Sequence, residues 1–343
     1  MGAGLGGLIA ARTLTDHGLD VTVFDKSRGV GGRTSTRRTH DDSGVELRFD
    51  HGAQYLTARD ARFCRFVKSW IQDGLVAPWL GRIVRLSRDG DLLSDASDTP
   101  RYVGVPGMNA IAKHLAASLN VQLGAAVTEL IRNEERWTVR DENGEMFGPF
   151  DVVLCNCPPR QTAALIAGQA DFHRQLESLR MRPCWAMMLA SPSLSEIEFE
   201  GAFVDDSPIS WIANNGAKPG RESPPSWVIH ASADWSEANL DCNAEDVIAT
   251  LRPEFEKLTG RSISEPHFSA AHRWRYAIPE SPLNRDHLFD ATVGLGACGD
   301  WCDGNRIEAA FLSGSALAGA VLRHYTIDRP AVASANKQLS LFA

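Results

Sequence analysis

Gly2, Gly4 and Gly7 open the chain in MGAGLGG, and this turn, taken with the helix and strand pattern after it, constrains the fold more than any other stretch. A Gly-x-Gly-x-x-Gly turn joins a buried strand to a helix, and its missing side chains let backbone amides at the helix start approach a pyrophosphate. Leu5, Leu8, Ile9, Ala11 and Leu14 recur at helical spacing as far as Gly18, which predicts a helix of about three turns. Val21 to Asp25 is a short β-branched run ending in a carboxylate, 18 residues after Gly7. A strand-end acid about 20 residues beyond the turn accepts hydrogen bonds from an adenosine ribose. Turn, helix, strand and acid in this order fit a dinucleotide half-fold; an Asp that caps a turn is the plainer alternative for Asp25. Only Met1 stands where a first strand belongs, so the expected fold lacks that strand in this sequence.

With 343 residues, 43% apolar and 23% charged, the chain can bury a large core divided over about two domains. A net charge of −8 argues against broad binding to nucleic acid or to an anionic membrane. Seven cysteines form no C-x-x-C pair, which suits a reducing cytoplasm. The longest apolar stretch, 309–322, is 14 residues long and broken by Ser313, Gly314 and Ser315, so it reads as a buried helix. No Ser-His-Asp order and no metal-type cluster of His and Cys stands out, so no metal is expected.

Further along, residues 61–80 have helical spacing and residues 81–100 are polar and rich in turn formers. Ile111 to Leu119 reads as an amphipathic helix. Strands are predicted at 121–123, 126–131, 136–140 and 148–154 around an Asn143-Gly144 hairpin turn, as a small antiparallel sheet. Residues 180–275 are strand-rich and Trp-rich with one helix near 244–258. A strand ending at Gly299-Asp300 precedes a long helix from about Arg306. Ser27 to Arg33 adds a second glycine run, in which Arg33 suits a phosphate. The start of the last helix suits the electron-rich end of a flavin ring through its dipole, with an acid beside it for the ribityl chain.

The pattern of Gly2 to Gly7, Asp25, Gly31-Gly32-Arg33 and Gly299-Asp300 resembles FAD-binding oxidases of the amine oxidase and p-hydroxybenzoate hydroxylase type. Within that group Asp50-His-Gly-Ala-Gln-Tyr55, Trp227-Val-Ile-His230, His272-Arg-Trp274 and Cys298-Gly-Asp-Trp-Cys302 are similar to bacterial renalases. The resemblance implies an α/β fold: a discontinuous Rossmann-like FAD domain (1–65, 101–165, 288–325) with an inserted, largely antiparallel substrate domain (66–100, 166–287) and a loose tail (326–343). It implies noncovalent FAD held by Gly2, Gly4, Gly7, Asp25, Lys26, Gly32, Arg33, Gln54, Val127, Asp300, Glu308 and Ala309. Tyr55, His230 and Trp274 would line a chamber in which dihydronicotinamide dinucleotides, reduced at the wrong ring carbon, pass hydride to flavin and electrons to oxygen.

For each of these chamber residues a plain packing role stands beside the functional one: Tyr55 and Trp274 as core aromatics, His230 as a strand histidine satisfied by backbone. Cys298 and Cys302 read as two buried thiols. No lysine falls in a motif that would set it opposite a flavin, which weakens the alternative of an amine oxidase. In the tail, Gln338-Leu-Ser-Leu-Phe342 resembles the peptide by which bacterial proteins dock on the sliding clamp, with a chance match the preferred reading.

Overall fold

The computed structural model describes residues 1–41, 43–95, 99–221, 224–263 and 265–327; the clamp-like peptide lies outside them. The glycine turn runs into α1 (Leu5–Asp16), whose periodic apolar residues are buried, and Gly18 at φ +83° ends it before β1 (Thr22–Asp25). A hairpin follows, β2 (Arg37–His40) with β3 (Glu46–Phe49). Next comes α2 (Ala61–Gln72), capped by Asp60. The helix expected over 61–80 stops at Gln72, because Gly74 at φ +70° turns the chain into β4 (Val76–Pro78).

Residues 81–100, expected as polar turns, instead hold β5 (Ile83–Leu86) and β6 (Leu92–Asp95). The apolar run Ile83, Val84, Leu86 becomes a strand because a distant strand pairs with it. After β7 (Tyr102–Gly104) and α3 (Ala110–Ala116), β8 (Asn120–Leu123) pairs parallel to β1 rather than joining the antiparallel sheet. That sheet is β9 (Val127–Asn133), β10 (Arg136–Asp141) and β11 (Met146–Phe150). The single strand expected over 148–154 is two, since after β11 the chain leaves this sheet and enters another as β12 (Val153–Cys155).

Helices α4 (Pro159–Ile166) and α5 (His173–Ser178) lead to β13 (Met181–Ala190), β14 (Gly201–Val204), β15 (Ile209–Asn214) and β16 (Ser226–Ala231). Then come α6 (Ala233–Ala238), α7 (Ala244–Thr259) and β17 (Phe268–Pro279). The seven-stranded sheet runs β17-β13-β16-β15-β14-β5-β6, antiparallel except where β14 meets β5. One face packs Trp185, Met187, Trp227 and Ile229 against Leu251 and Phe255 of α7. The other face carries the candidate chamber.

The chain returns through β18 (Leu288–Asp290) and β19 (Leu295–Ala297), the latter parallel to β12, and ends its described part in α8 (Ile307–Ile327). Met1 and Gly2 lie between the two parallel pairs. The Met1 amino group donates to Leu154 O (2.5 Å), Met1 O accepts from Asn156 N (2.7 Å), and Gly2 N donates to Phe24 O (2.7 Å). Among the described residues no helix is long and apolar enough to cross a membrane.

Helix α8 rests on α1 backbone to backbone. A β-carbon on Gly314 would stand 2.1 Å from the Gly6 oxygen, and one on Gly6 would stand 2.8 Å from the Ala310 oxygen. Gly319, one turn and a half further on, meets only the tip of Arg323. Gly314→Ala should therefore force the helices apart and cost about 1–3 kcal/mol, whereas Gly319→Ala should be neutral or stabilise by up to about 1 kcal/mol through helix entropy. Thermal melts of the two variants check this, and an equal loss in both would contradict it.

Candidate active site

The cofactor groove is built first by glycines. Gly2 sits at φ +94°, where a β-carbon would come within 2.8 Å of the Asn156 oxygen, and a β-carbon on Gly7 would come within 2.1 Å of the Gly2 oxygen. Gly4, the N-cap of α1, carries no capping side chain. The second glycine run folds onto the first, with Gly31 N donating to Ala3 O at 2.8 Å and Gly32 at φ +53° beside the Gly4 Cα. Asp25 accepts from Ala3 N (2.6 Å) and Ser27 N (2.7 Å), so it both holds the glycine turn and caps the turn after β1. A carboxylate accepts about four hydrogen bonds, which leaves capacity for a ribose.

Arg33 closes the groove together with a residue from the far end of the chain. Its guanidinium pairs bidentately with Asp300 (2.6 and 2.8 Å) and donates to Ala277 O on β17 (2.8 Å). Ala309 is buried in the first turn of α8. Glu308 is committed elsewhere: its carboxylate accepts from Arg59 N (2.6 Å) and Asp60 N (2.7 Å), tying α8 to the start of α2. What this turn offers a flavin is therefore backbone amides and dipole. Val127 opens β9 opposite Asp141, and Lys26 is exposed beside Asp25. A turn only glycine can make, an uncapped helix start, a strand-end acid, and a second acid and an arginine brought together from residues 33 and 300 fit FAD.

The chamber residues converge on the loop 50–55. His230 Nε2 and Trp274 Nε1 both lie within hydrogen-bond reach of the His51 carbonyl, at 3.2 and 2.9 Å. The His51 ring stacks on Trp274 (5.1 Å, 27°), and His272 meets both edge-on (4.9 and 4.4 Å). Strand register explains the gathering, because His272, Ala186, His230 and Trp211 form one row across β17, β13, β16 and β15. Gly52 threads between Arg33 and Trp274, where a β-carbon would meet the Arg33 oxygen at 2.0 Å. Tyr55 stands apart from the His230–Trp274 pair, against Trp211 (5.6 Å) and Trp79 (6.2 Å). Gln54 is buried; it bonds the Asp50 and Gly52 carbonyls and accepts from Lys218.

Beneath this loop lies a charged cluster that no sequence motif reveals. Asp50, Lys218 and Arg221 have side chains with no exposure. Asp50 accepts from Arg221 Nη2 (2.6 Å), Lys218 Nζ (3.3 Å), Thr36 Oγ1 (2.7 Å) and Met108 N (3.0 Å). Lys218 also reaches Gln54 and Asn215 and lies 5.5 Å from the centre of the Trp79 ring. Lys218 comes from an apolar-poor loop with no local signal of burial. Asn156, equally silent in the sequence, fills the space under the glycine turn and donates to Cys298 O at 2.9 Å. Cys298 and Cys302 are free, buried thiols; burial pushes Cys302 up to about 12 and Cys298 higher still.

Burial holds the chamber histidines neutral. It pulls His51 and His230 down to about 4 from 6.5 and lowers His272 as well. Burial also pulls Lys218 down to about 8 against the attraction of Asp50. Between pH 6.5 and about 4 the unfolded chain takes up protons on His51 and His230 that the folded protein refuses. Their share of stability is therefore present above pH 6.5 and lost as pH falls to about 4. Melting temperature should fall over that window, and less steeply in His230→Gln; parallel profiles would contradict the assignment. In the cluster, two cations face one carboxylate, so Lys218→Met leaves a balanced pair while Asp50→Asn leaves two unmatched cations. Asp50→Asn should cost about 3–5 kcal/mol and Lys218→Met clearly less, as denaturant unfolding would measure; the reverse order would contradict the charge count.

Comparison with known proteins adds the family. The family model "NAD(P)-binding Rossmann-like domain" matches residues 1–70, and "Flavin containing amine oxidoreductase" matches residues 81–322. Among curated proteins, the Lysine-specific histone demethylase 1 homolog 1 of Arabidopsis thaliana is 44% identical over 57 residues, which are 17% of this chain and 7% of that protein. Among solved structures, the cyclohexylamine oxidase of Brevibacterium oxydans is similar at TM-score 0.74 and 12% identity, over 96% of this chain and 98% of that one. An Exiguobacterium protein assigned as a protoporphyrinogen oxidase gives TM-score 0.73 and 13% identity (93% and 97%). A putrescine oxidase variant redesigned in cofactor binding gives TM-score 0.70 and 14% identity (94% and 97%). The two family models together run through the glycine turn, the Arg33–Asp300 clasp and the chamber sheet, and the chain belongs to the flavin-containing amine oxidoreductases as an FAD-dependent oxidoreductase.

Proposed function

We propose that the protein is a renalase-type oxidase: it takes dihydronicotinamide dinucleotides reduced at ring carbon 2 or 6, and returns NAD(P)+ with hydrogen peroxide. The observation that carries this reading is the convergence of His230 and Trp274 on the His51 carbonyl within a wall of neutral imidazoles and indole. Such a wall suits a flat, hydrogen-bonding carboxamide ring. FAD, held by the glycine turn, Asp25, Arg33 and Asp300, would supply the two-electron acceptor. The balance is one dihydronicotinamide, one oxygen and one proton giving one oxidised nicotinamide and one hydrogen peroxide.

A dihydronicotinamide regains aromaticity when hydride leaves, so the protein needs no general base and acts by orientation. His230 and Trp274 fix the ring plane; the stacked His51 and the edge-on His272 keep water from it. A reducing, cytoplasmic setting is the one this substrate class would call for. The second reading, oxidation of an amine, draws on the buried Lys218 and on the aromatic group of Tyr55, Trp79 and Trp211. Against it, cations of the protein already face two of those rings: Arg101 over Tyr55 (5.4 Å) and Lys218 over Trp79 (5.5 Å). A protonated amine is repelled there.

Anaerobic flavin bleaching separates the two. The 2- and 6-dihydro isomers of NAD and NADP should bleach the flavin faster than ordinary NADPH or any of a panel of primary amines. Trp274→Ala and His230→Ala should slow that bleaching by ~10 to 100-fold through lost alignment, with reoxidation by oxygen changed much less. Faster bleaching by an amine would transfer the assignment to the second reading.

A further inference from the structure

Lys218 has more hydrogen-bond partners than a neutral amine could serve. Its side chain has no exposure, and Nζ donates to Gln54 Oε1 (3.1 Å), Asp50 Oδ2 (3.3 Å) and Asn215 Oδ1 (3.3 Å). An ammonium carries three N–H donors and no acceptor, so every proton is used. With one proton removed, two donors and a lone pair face the same three oxygens. One contact is then lost.

Those three oxygens hold one loop. Asp50 and Gln54 flank the turn that carries His51 and Gly52, and Gln54 Nε2 closes it by donating to the Asp50 and Gly52 carbonyls. Asn215 accepts from Asp50 N (3.1 Å) and donates to Arg48 O, which fixes the entry to the same turn. Lys218 thus joins the start, the end and the backing of the loop at a single atom. It touches neither His230 nor Trp274, and acts on them only through the His51 carbonyl on which both converge.

The surrounding charges decide which group gives up a proton. Among the described residues, the charged groups that face Lys218 are Asp50, from the loop after β3, and Arg221, three residues on in its own loop. The loop after β4 presents the Trp79 ring at 5.5 Å, and β16 presents His230, which burial keeps neutral. Arg221 alone balances Asp50, with Nη2 at 2.6 Å from the carboxylate and Nη1 on the Gly104 and Pro219 carbonyls. Lys218 is therefore the surplus cation. Burial draws it down to about 8, against the attraction of Asp50 and with the repulsion of Arg221. Against burial, Lys218 and Arg221 hold the Asp50 carboxyl below its usual range, so Asp50 takes up no proton in exchange.

We propose that Lys218 is the positioning residue of the chamber: its charged form pins the 50–55 loop at three points, and release of its proton frees one of them and loosens the His51 carbonyl. The sign of the linked stability separates this role from that of a plain strut. As pH rises from about 8 to the ordinary 10.5, the unfolded chain keeps a proton on this lysine that the folded protein has released. The penalty of burying the ammonium is full below that window and relieved across it, so this group's share of stability rises with pH. The loop loosens while the molecule as a whole becomes harder to melt.

The test follows the FAD-loaded protein through pH 8, beside Lys218→Arg, which keeps its charge at every pH used, and Lys218→Met, which has none. Amide hydrogen exchange of the peptide covering 50–55 reads the loop directly. Relative to either variant, exchange in the unaltered protein should rise by about 10-fold, the scale of one hydrogen bond. Anaerobic bleaching by the fastest reductant of the panel above should fall by ~10-fold over the same range through lost alignment. Melting temperature relative to either variant should rise. Parallel exchange profiles in all three proteins would overturn the proposal, as would a melting temperature that falls with the loop. If the arginine variant does not fold, Lys218→Met supplies the pH-independent reference. If no reductant bleaches the flavin, the reading of the reaction fails, while hydrogen exchange still decides Lys218.

Discussion

The carboxylate of Asp50 is the constraint on which the chamber depends. Buried charge is tolerated only when its hydrogen bonds are made, and Asp50 makes four, to Thr36, Met108, Lys218 and Arg221. These partners come from three segments of the chain, Lys218 and Arg221 sharing one loop. Because His51 and Gly52 follow directly, the Asp50 anchor sets where the His51 carbonyl points, and with it where His230 and Trp274 meet. Arg33 reinforces this through its backbone oxygen, which accepts from Ala53 N at 2.8 Å. Cofactor groove and chamber are two sides of the same loop.

Electrostatics then divides the labour. The interior around His51, His230 and Trp274 is polar but uncharged. Charge is kept sealed below, in the Lys218 and Arg221 cluster. Burial keeps the chamber histidines uncharged, drawing His51 and His230 down to about 4 and lowering His272 as well.

Much of this is legible in the sequence itself. The glycine turn, helix and strand-end acid have rigid spacing requirements, so Gly2, Gly4, Gly7 and Asp25 declare themselves locally. Arg33 and Asp300 are each readable, yet their bidentate pairing is not, because 267 residues separate them. Lys218 and Asn156 give no signal at all: their importance arises from what surrounds them. The strands β5 and β6 escape notice for the same reason, since β14, the partner of β5, lies more than a hundred residues onward. Glu308 is readable as an acid at a helix start, but only the fold reveals that Arg59 and Asp60 claim its carboxylate. Local periodicity carries local structure, and sheet register carries the rest.

The contact of Gly6 with Gly314 sets an order on how the molecule is made. During synthesis α1 emerges first, and the helix that covers it, α8, emerges some three hundred residues later. In that interval β13 to β17 and α7, which come from one stretch of the chain, can close on their own core. The fold around α1 is thus completed after those strands exist. Its final step brings two helix backbones together across glycines, where no side chain can hold them apart while they search for register.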